Sequence, residues 1–113
     1  MRYCLTVDLK NDPKLISSYE DYHKKVWPEI LKSLTDSGIL SMQIYRLMNR
    51  MFMIIETTDD FSFEKKAVMD AANPKVQEWE NIMGNFQQSL PGFDPDDPWK
   101  WKPMEKVFDT AAT

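Results

Sequence analysis

An α+β fold, one antiparallel sheet with helices on a single face, follows from three observations in the sequence. Residues 2–9, RYCLTVDL, alternate Tyr3, Leu5, Val7 and Leu9 against Arg2, Cys4, Thr6 and Asp8, the period-two pattern of a strand with unlike faces. ILSMQIYRL and RMFMIIETT are two further strand patterns separated only by the short polar turn Met48-Asn49-Arg50, so they pair as a hairpin. The remaining apolar residues recur at three- and four-residue intervals inside segments that begin with helix-capping residues.

The elements can be justified in chain order. After the first strand, NDPKLISSYEDYHKKVWPEILKSLTDSG opens with Asp12 as N-cap and Pro13 in the first helical position, and Gly38 closes it. Pro28 interrupts this pattern: it removes an amide donor and disfavours α geometry at Trp27, which predicts two helical pieces, 13–25 and 28–37, with a bend between them. The hairpin follows. Beyond Asp59-Asp60 a second helical region runs to about Met69, and Asn73-Pro74 starts another helix through KVQEWENIMGNFQQSL, with Val76, Trp79, Ile82, Met83 and Phe86 on one face. From Pro91 to Pro103 the chain has four prolines and no regular apolar spacing, which predicts an extended arm. MEKVF, with Met104, Val107 and Phe108, reads as a last strand. The order β-α-β-β-α-β in one sheet is a ferredoxin-like arrangement. Residues 1–113 are expected to form a single domain, with the proline-rich arm and last strand at about 91–110. The sheet face without helices carries enough apolar side chains to predict pairing with a second copy, sheet against sheet, in a homodimer.

Composition narrows the function classes. A chain of 113 residues, 42% apolar, with four Trp, four Tyr and six Phe, suffices for one hydrophobic core. No window is apolar enough to span a membrane, so no membrane partner is expected. The N-terminal residues lack the features of a signal peptide, and Cys4 is the single cysteine; a reducing cytoplasm is the expected location. A net charge of −4 with scattered basic residues offers no electropositive track, and no nucleic-acid partner is expected. Three dispersed glycines make no phosphate-cradling loop.

The single histidine, His23, lies four residues after Tyr19, and on a helix both side chains rise from the same face toward a common ligand. Histidine is the side-chain type that changes charge near neutrality, which makes His23 the candidate for proton transfer, although a Tyr–His pair at this spacing is also an ordinary helix-surface pair. Tyr22 reads as structural. One His and one Cys cannot build a Cys/His zinc site within the chain. Trp79 is core by its position on the apolar helix face, with a sugar-stacking platform as the alternative. Glu80, beside it, can accept hydrogen bonds from hydroxyls. Tyr45 and Gln43 share one strand face and line the uncovered sheet surface.

YEDYHKKVWPEI, IYRLMNRMFMIIE, VQEWENIM and the terminal KWKPMEKVF together resemble the L-rhamnose mutarotase family, whose members interconvert the α and β anomers of a deoxyhexose. The resemblance runs nearly end to end; its most specific part is Tyr19 and His23 followed by Trp27-Pro28-Glu29. It implies a dimeric α/β barrel of ferredoxin-like subunits, no cofactor, a monosaccharide substrate, His23 as the proton-transferring residue, and Tyr19 and Trp79 as substrate contacts. Where the family pattern has a tryptophan pair this chain has Trp79-Glu80, and where it has an early tyrosine in the strand after Gly38 this chain has Met42, leaving Tyr45 as the aromatic there. The resemblance makes L-rhamnose the first expected substrate; exchanging an indole for a carboxylate suits a different hydroxyl arrangement and makes L-fucose the second, with Tyr45 and Glu80 as further binding residues. The same barrel architecture also hosts cofactor-free monooxygenases and haem-degrading enzymes; these, and a non-enzymatic binding module, are the alternative readings.

Overall fold

The computed structural model describes residues 1–112. The first strand, β1 (Arg2–Leu9), leads into α1 (Pro13–Lys24) and α2 (Pro28–Asp36). The hairpin β2 (Ile39–Leu47) and β3 (Arg50–Thr57) comes next, then α3 (Phe63–Ala71) and α4 (Pro74–Gly84). Two short strands, β4 (Gln87–Gln88) and β5 (Lys102–Pro103), and a 3-10 turn at Thr110–Ala112 complete it. The sheet order is β2-β3-β1-β4, with β5 also on β1, and every pairing is antiparallel. β4 pairs with the end of β1 at Asp8 and Leu9, and β5 pairs further back at Leu5 and Thr6, so one edge of β1 is covered in two instalments.

Local chemistry explains the boundaries. Asp12 accepts from the Lys14 and Leu15 amides at 2.8 and 3.4 Å, satisfying two of the donors that a helix start leaves open. Trp27 is extended, with ψ 138°, as a residue before proline must be, and this separates α1 from α2. Gly38 adopts φ 98°, a conformation that side chains resist, and turns the chain from α2 into β2. Leu40 is an extra residue in the β2 ladder, where the register slips between Ile39 and Ser41.

Alternation sorts the sheet into two faces. Leu5, Val7, Leu9, Met51 and Ile55 face the helices and are buried, and Val7 and Leu9 join Tyr19, Ile30, Val76, Trp79, Met83 and Phe86 in one core cluster. A second cluster unites Leu5, Ile39, Ile55 and Phe61. Burying one such side chain contributes about 1.5–3 kcal/mol, so the helix layer is held by this face. The register puts Cys4, Thr6, Gln43, Tyr45, Phe52 and Ile54 together on the opposite face.

Two expectations are corrected. The last strand is Lys102–Pro103 and not MEKVF: the Met104 amide still donates to the Cys4 carbonyl at 2.7 Å, but Val107 and Phe108 leave the sheet and are 92% and 70% exposed. The last helix stops at Gly84, short of QQSL, because the Lys10 amide bonds the Phe86 carbonyl at 2.8 Å and Gln87 pairs with Leu9; Phe86 fits the helical spacing but packs from beyond the helix end. Trp101, in the arm, packs against both core clusters within the chain, whereas Trp99 is 48% exposed.

Candidate functional site

His23 and Tyr19 share the core-facing side of α1. Their rings stack with centroids 4.4 Å apart, and His23 Nδ1 lies 2.9 Å from the Tyr19 backbone oxygen. A carbonyl oxygen only accepts, so in the neutral ring Nδ1 carries the hydrogen and Nε2 keeps its lone pair. Trp79 of α4 meets the His23 ring edge-on at 5.6 Å and the Trp27 ring at 5.1 Å. The WPE bend thus places an indole against the same tryptophan that His23 touches. The Tyr22 ring contacts both Trp79 at 6.1 Å and Phe86 at 5.9 Å.

Tyr19 is 3% exposed. Burial pushes its phenol well above the usual tyrosine range; the Gln87 side chain opposes this, and the Glu80 charge adds to it. The hydroxyl therefore stays protonated across the neutral range, and it lies where Glu80 and Gln87 both act on it. Glu80 itself follows Trp79 on α4 with its residue surface open to water. Neighbouring protein atoms nonetheless raise its carboxyl above the ordinary range, with Lys66 opposing and Asp70 reinforcing. Because the side chain keeps access to water, solvent screening limits this effect. Lys66 and Asp70 are paired with each other on α3.

Four of the five residues singled out by sequence, Tyr19, His23, Trp79 and Glu80, are brought to one region. Tyr45 is not. It pairs with Phe52, which pairs with Thr6, and it lies on the sheet face opposite α1 and α4, 56% exposed, its hydroxyl donating to Gln43 Oε1 at 3.2 Å. A recess of about 230 Å³ there is lined by Thr6, Tyr45, Phe52 and Met104 among others. A wider recess of about 330 Å³ runs along α1 between Ser18, Asp21, Tyr22 and Lys25. Neither contains His23; the candidate site rests on the chemistry of the clustered side chains. Among the described residues no group of three or more His, Cys, Asp or Glu converges as metal ligands, and no helix is long and apolar enough to cross a membrane.

Gln87 is the residue that sequence reasoning missed. It was absorbed into the predicted helix, and only its pairing with Leu9 turns it toward the core side.

The arrangement holds one nitrogen lone pair and one neutral phenol beside tryptophan faces, which suits proton transfer to and from a polyhydroxy ligand. The sequence model of L-rhamnose mutarotase matches residues 2–110. An L-fucose mutarotase of Xanthomonas campestris pv. campestris is 39% identical over 95% of this chain and 86% of its own length. An L-rhamnose mutarotase of Phocaeicola vulgatus is 30% identical over 85% and 86%. The crystal structure of an L-rhamnose mutarotase from Formosa agariphila superimposes with a TM-score of 0.68, at 24% identity over 96% of this chain and 97% of that one, a likeness of fold. With a family match over nearly its whole length and a relative at 39% identity, the chain belongs to the L-rhamnose mutarotase family.

Proposed function

We propose that this protein is a sugar mutarotase that interconverts the α and β anomers of a 6-deoxyhexose, using His23 as the base and the Tyr19 hydroxyl as the acid. The observation that carries the reading is the contact between His23 Nδ1 and the Tyr19 carbonyl, 2.9 Å, which leaves Nε2 free to take a proton. In the ring-opening step Nε2 accepts the proton of the anomeric hydroxyl, the bond from C1 to the ring oxygen breaks, and the ring oxygen takes the phenol proton. The aldehyde then turns about C1–C2. Closure on the other face returns both protons, so the cycle is neutral overall. Anomers exchange slowly in water unaided, and general acid–base catalysis of about 10²–10⁴-fold is enough to matter. These steps need protons and no redox partner.

L-Fucose is the first substrate to test, since identity to the L-fucose enzyme exceeds that to the L-rhamnose enzyme and Glu80 offers a carboxylate near Tyr19. The outer sheet face, with Phe52 and Ile54 half-buried and Tyr45 and Leu47 exposed, is proposed to close against a second copy as a homodimer in the cytoplasm. NMR saturation transfer between the anomeric protons of L-fucose and of L-rhamnose tests the function directly. Accelerated exchange supports it, and exchange at the buffer rate for both sugars and for other deoxyhexoses rejects it.

A further inference from the structure

Tyr19 has to meet the sugar in order to give up its proton, yet it is almost fully buried. Some ring near it must yield. Two buried rings flank the residues that would move protons: Phe86 packs edge-on against Tyr19 at 6.1 Å, and Trp79 meets His23 at 5.6 Å. Tyr22 touches both of them, Phe86 at 5.9 Å and Trp79 at 6.1 Å with the planes 89° apart. It is 37% exposed where Phe86 and Trp79 are buried, so its ring is the outer wall of the cluster. Trp27, the other ring against Trp79, is pinned: Pro28 follows it, and the Lys75 ammonium stands over it at 5.7 Å from the ring centroid. Tyr22 has room instead. It is the residue that this cluster shares with the recess of about 330 Å³ along α1, whose other walls are Ser18, Asp21 and Lys25.

We propose that Tyr22 is the gate of the sugar site: its ring covers Trp79 and Phe86 in the empty protein and turns into the α1 recess when the sugar binds. The inference rests on the mutarotase reading above and deepens it. The ring and the sugar then compete for one surface, and sugar binds only to the fraction of molecules whose gate is open. Apparent affinity is lowered by that fraction. An exposed side chain changes rotamer within nanoseconds, far faster than a typical turnover, so the gate enters KM and leaves the proton-transfer steps at His23 and Tyr19 as they are.

The test is anomer exchange by Tyr22 variants over a range of L-fucose and L-rhamnose concentrations, with folding followed by near-ultraviolet circular dichroism and sugar affinity by saturation-difference NMR. Tyr22→Ala removes the competing ring and is expected to lower KM about three- to tenfold, the weight of one aromatic pair, with kcat changed less than about twofold. Sugar affinity should tighten in step. Tyr22→Trp, whose larger ring covers more of the same surface, is expected to raise KM about threefold or more. An unchanged or raised KM in folded Tyr22→Ala protein overturns the proposal: the first places Tyr22 outside the sugar's path, and the second makes its ring a wall that holds the sugar. If Tyr22→Ala does not fold, Tyr22→Leu keeps apolar bulk without the ring and carries the same comparison against Tyr22→Trp. Failure of the wild-type protein to accelerate exchange instead rejects the mutarotase reading, and is seen without any variant.

Discussion

Tyr19 and His23 meet twice: their rings stack at 4.4 Å, and the backbone oxygen of the first lies 2.9 Å from Nδ1 of the second. The backbone of the helix therefore fixes the tautomer of the imidazole whose ring the tyrosine also supports. His23→Asn should fold, since the residue is only half-buried, and lose about 10²-fold or more in anomer-exchange rate, the scale of removing a general base. Exchange at the wild-type rate in folded His23→Asn protein would falsify the assignment of His23 as the base.

Much of this was legible in the sequence. β1 and β2 have the predicted limits, and Asp12, Pro13, Pro28 and Gly38 mark the breaks around α1 and α2, because caps and prolines act on their immediate neighbours. The Tyr19–His23 approach was legible for the same reason, a four-residue spacing on one helix. What could not be read is long-range pairing. Gln87 reaches the core side through a ladder with Leu9, which is distant from it in sequence, whereas Tyr45 lies on the helix-free face that strand alternation indicates. Phe86 continued a helical rhythm past the helix end, so periodicity alone overextended α4.

Tyr19 also predicts an alkaline limit. Its phenol pKa is raised in the folded state, chiefly by burial, above an unfolded value near 10. A raised pKa means that the contribution is fully present below pH about 10 and is lost as pH rises toward the folded value. Stability should therefore fall more steeply above pH 10 in the wild-type protein than in Tyr19→Phe, whatever their difference at neutral pH. Urea titrations from pH 8 to 11 measure both slopes, and parallel slopes would contradict the buried phenol.

Gly38 has a steric reason to be glycine. Its φ is 98°, and a Cβ there would stand 2.7 Å from Thr58 Oγ1, whose backbone amide also donates to the Gly38 carbonyl at 2.9 Å. Gly38→Ala should cost about 2–3 kcal/mol in chemical denaturation, from backbone strain of about 1–3 kcal/mol plus the clash. Adding Thr58→Ala should recover the clash part only. Full recovery would mean that the φ value carries no strain.

The outer sheet face predicts the oligomer's weak point. Ile54 pairs with Cys4 and Gln43 at the centre of the helix-free face, so in a sheet-on-sheet dimer an aspartate there is buried twice, once per copy. Ile54→Asp should weaken association about a hundredfold or more, since an unpaired buried charge costs about 3–5 kcal/mol. Sedimentation velocity over a dilution series reads this, with the wild-type protein, proposed to be a dimer, as the reference. A variant that associates as tightly as wild type would place the interface elsewhere.

Glu80 couples stability to selectivity. Its carboxyl pKa is raised, first by the protein atoms around it and then by Asp70, against the attraction of Lys66. The favourable contribution of a group with a raised pKa is present below its unfolded value, near 4.3, and is lost as pH rises through the folded value; at pH 7 the ionised side chain is a small burden. Glu80→Gln should therefore raise Tm slightly at pH 7 and not at pH 4. The same change removes a charged acceptor close enough to influence the Tyr19 phenol. If that acceptor holds a sugar hydroxyl, the ratio of kcat/KM for L-fucose over L-rhamnose should shift about tenfold, the difference between a charged and a neutral hydrogen bond. Exchange rates for both sugars with wild type and Glu80→Gln decide it: an unchanged ratio with the predicted gain in Tm assigns the carboxylate to the α3–α4 contact, and a changed ratio assigns it to the sugar.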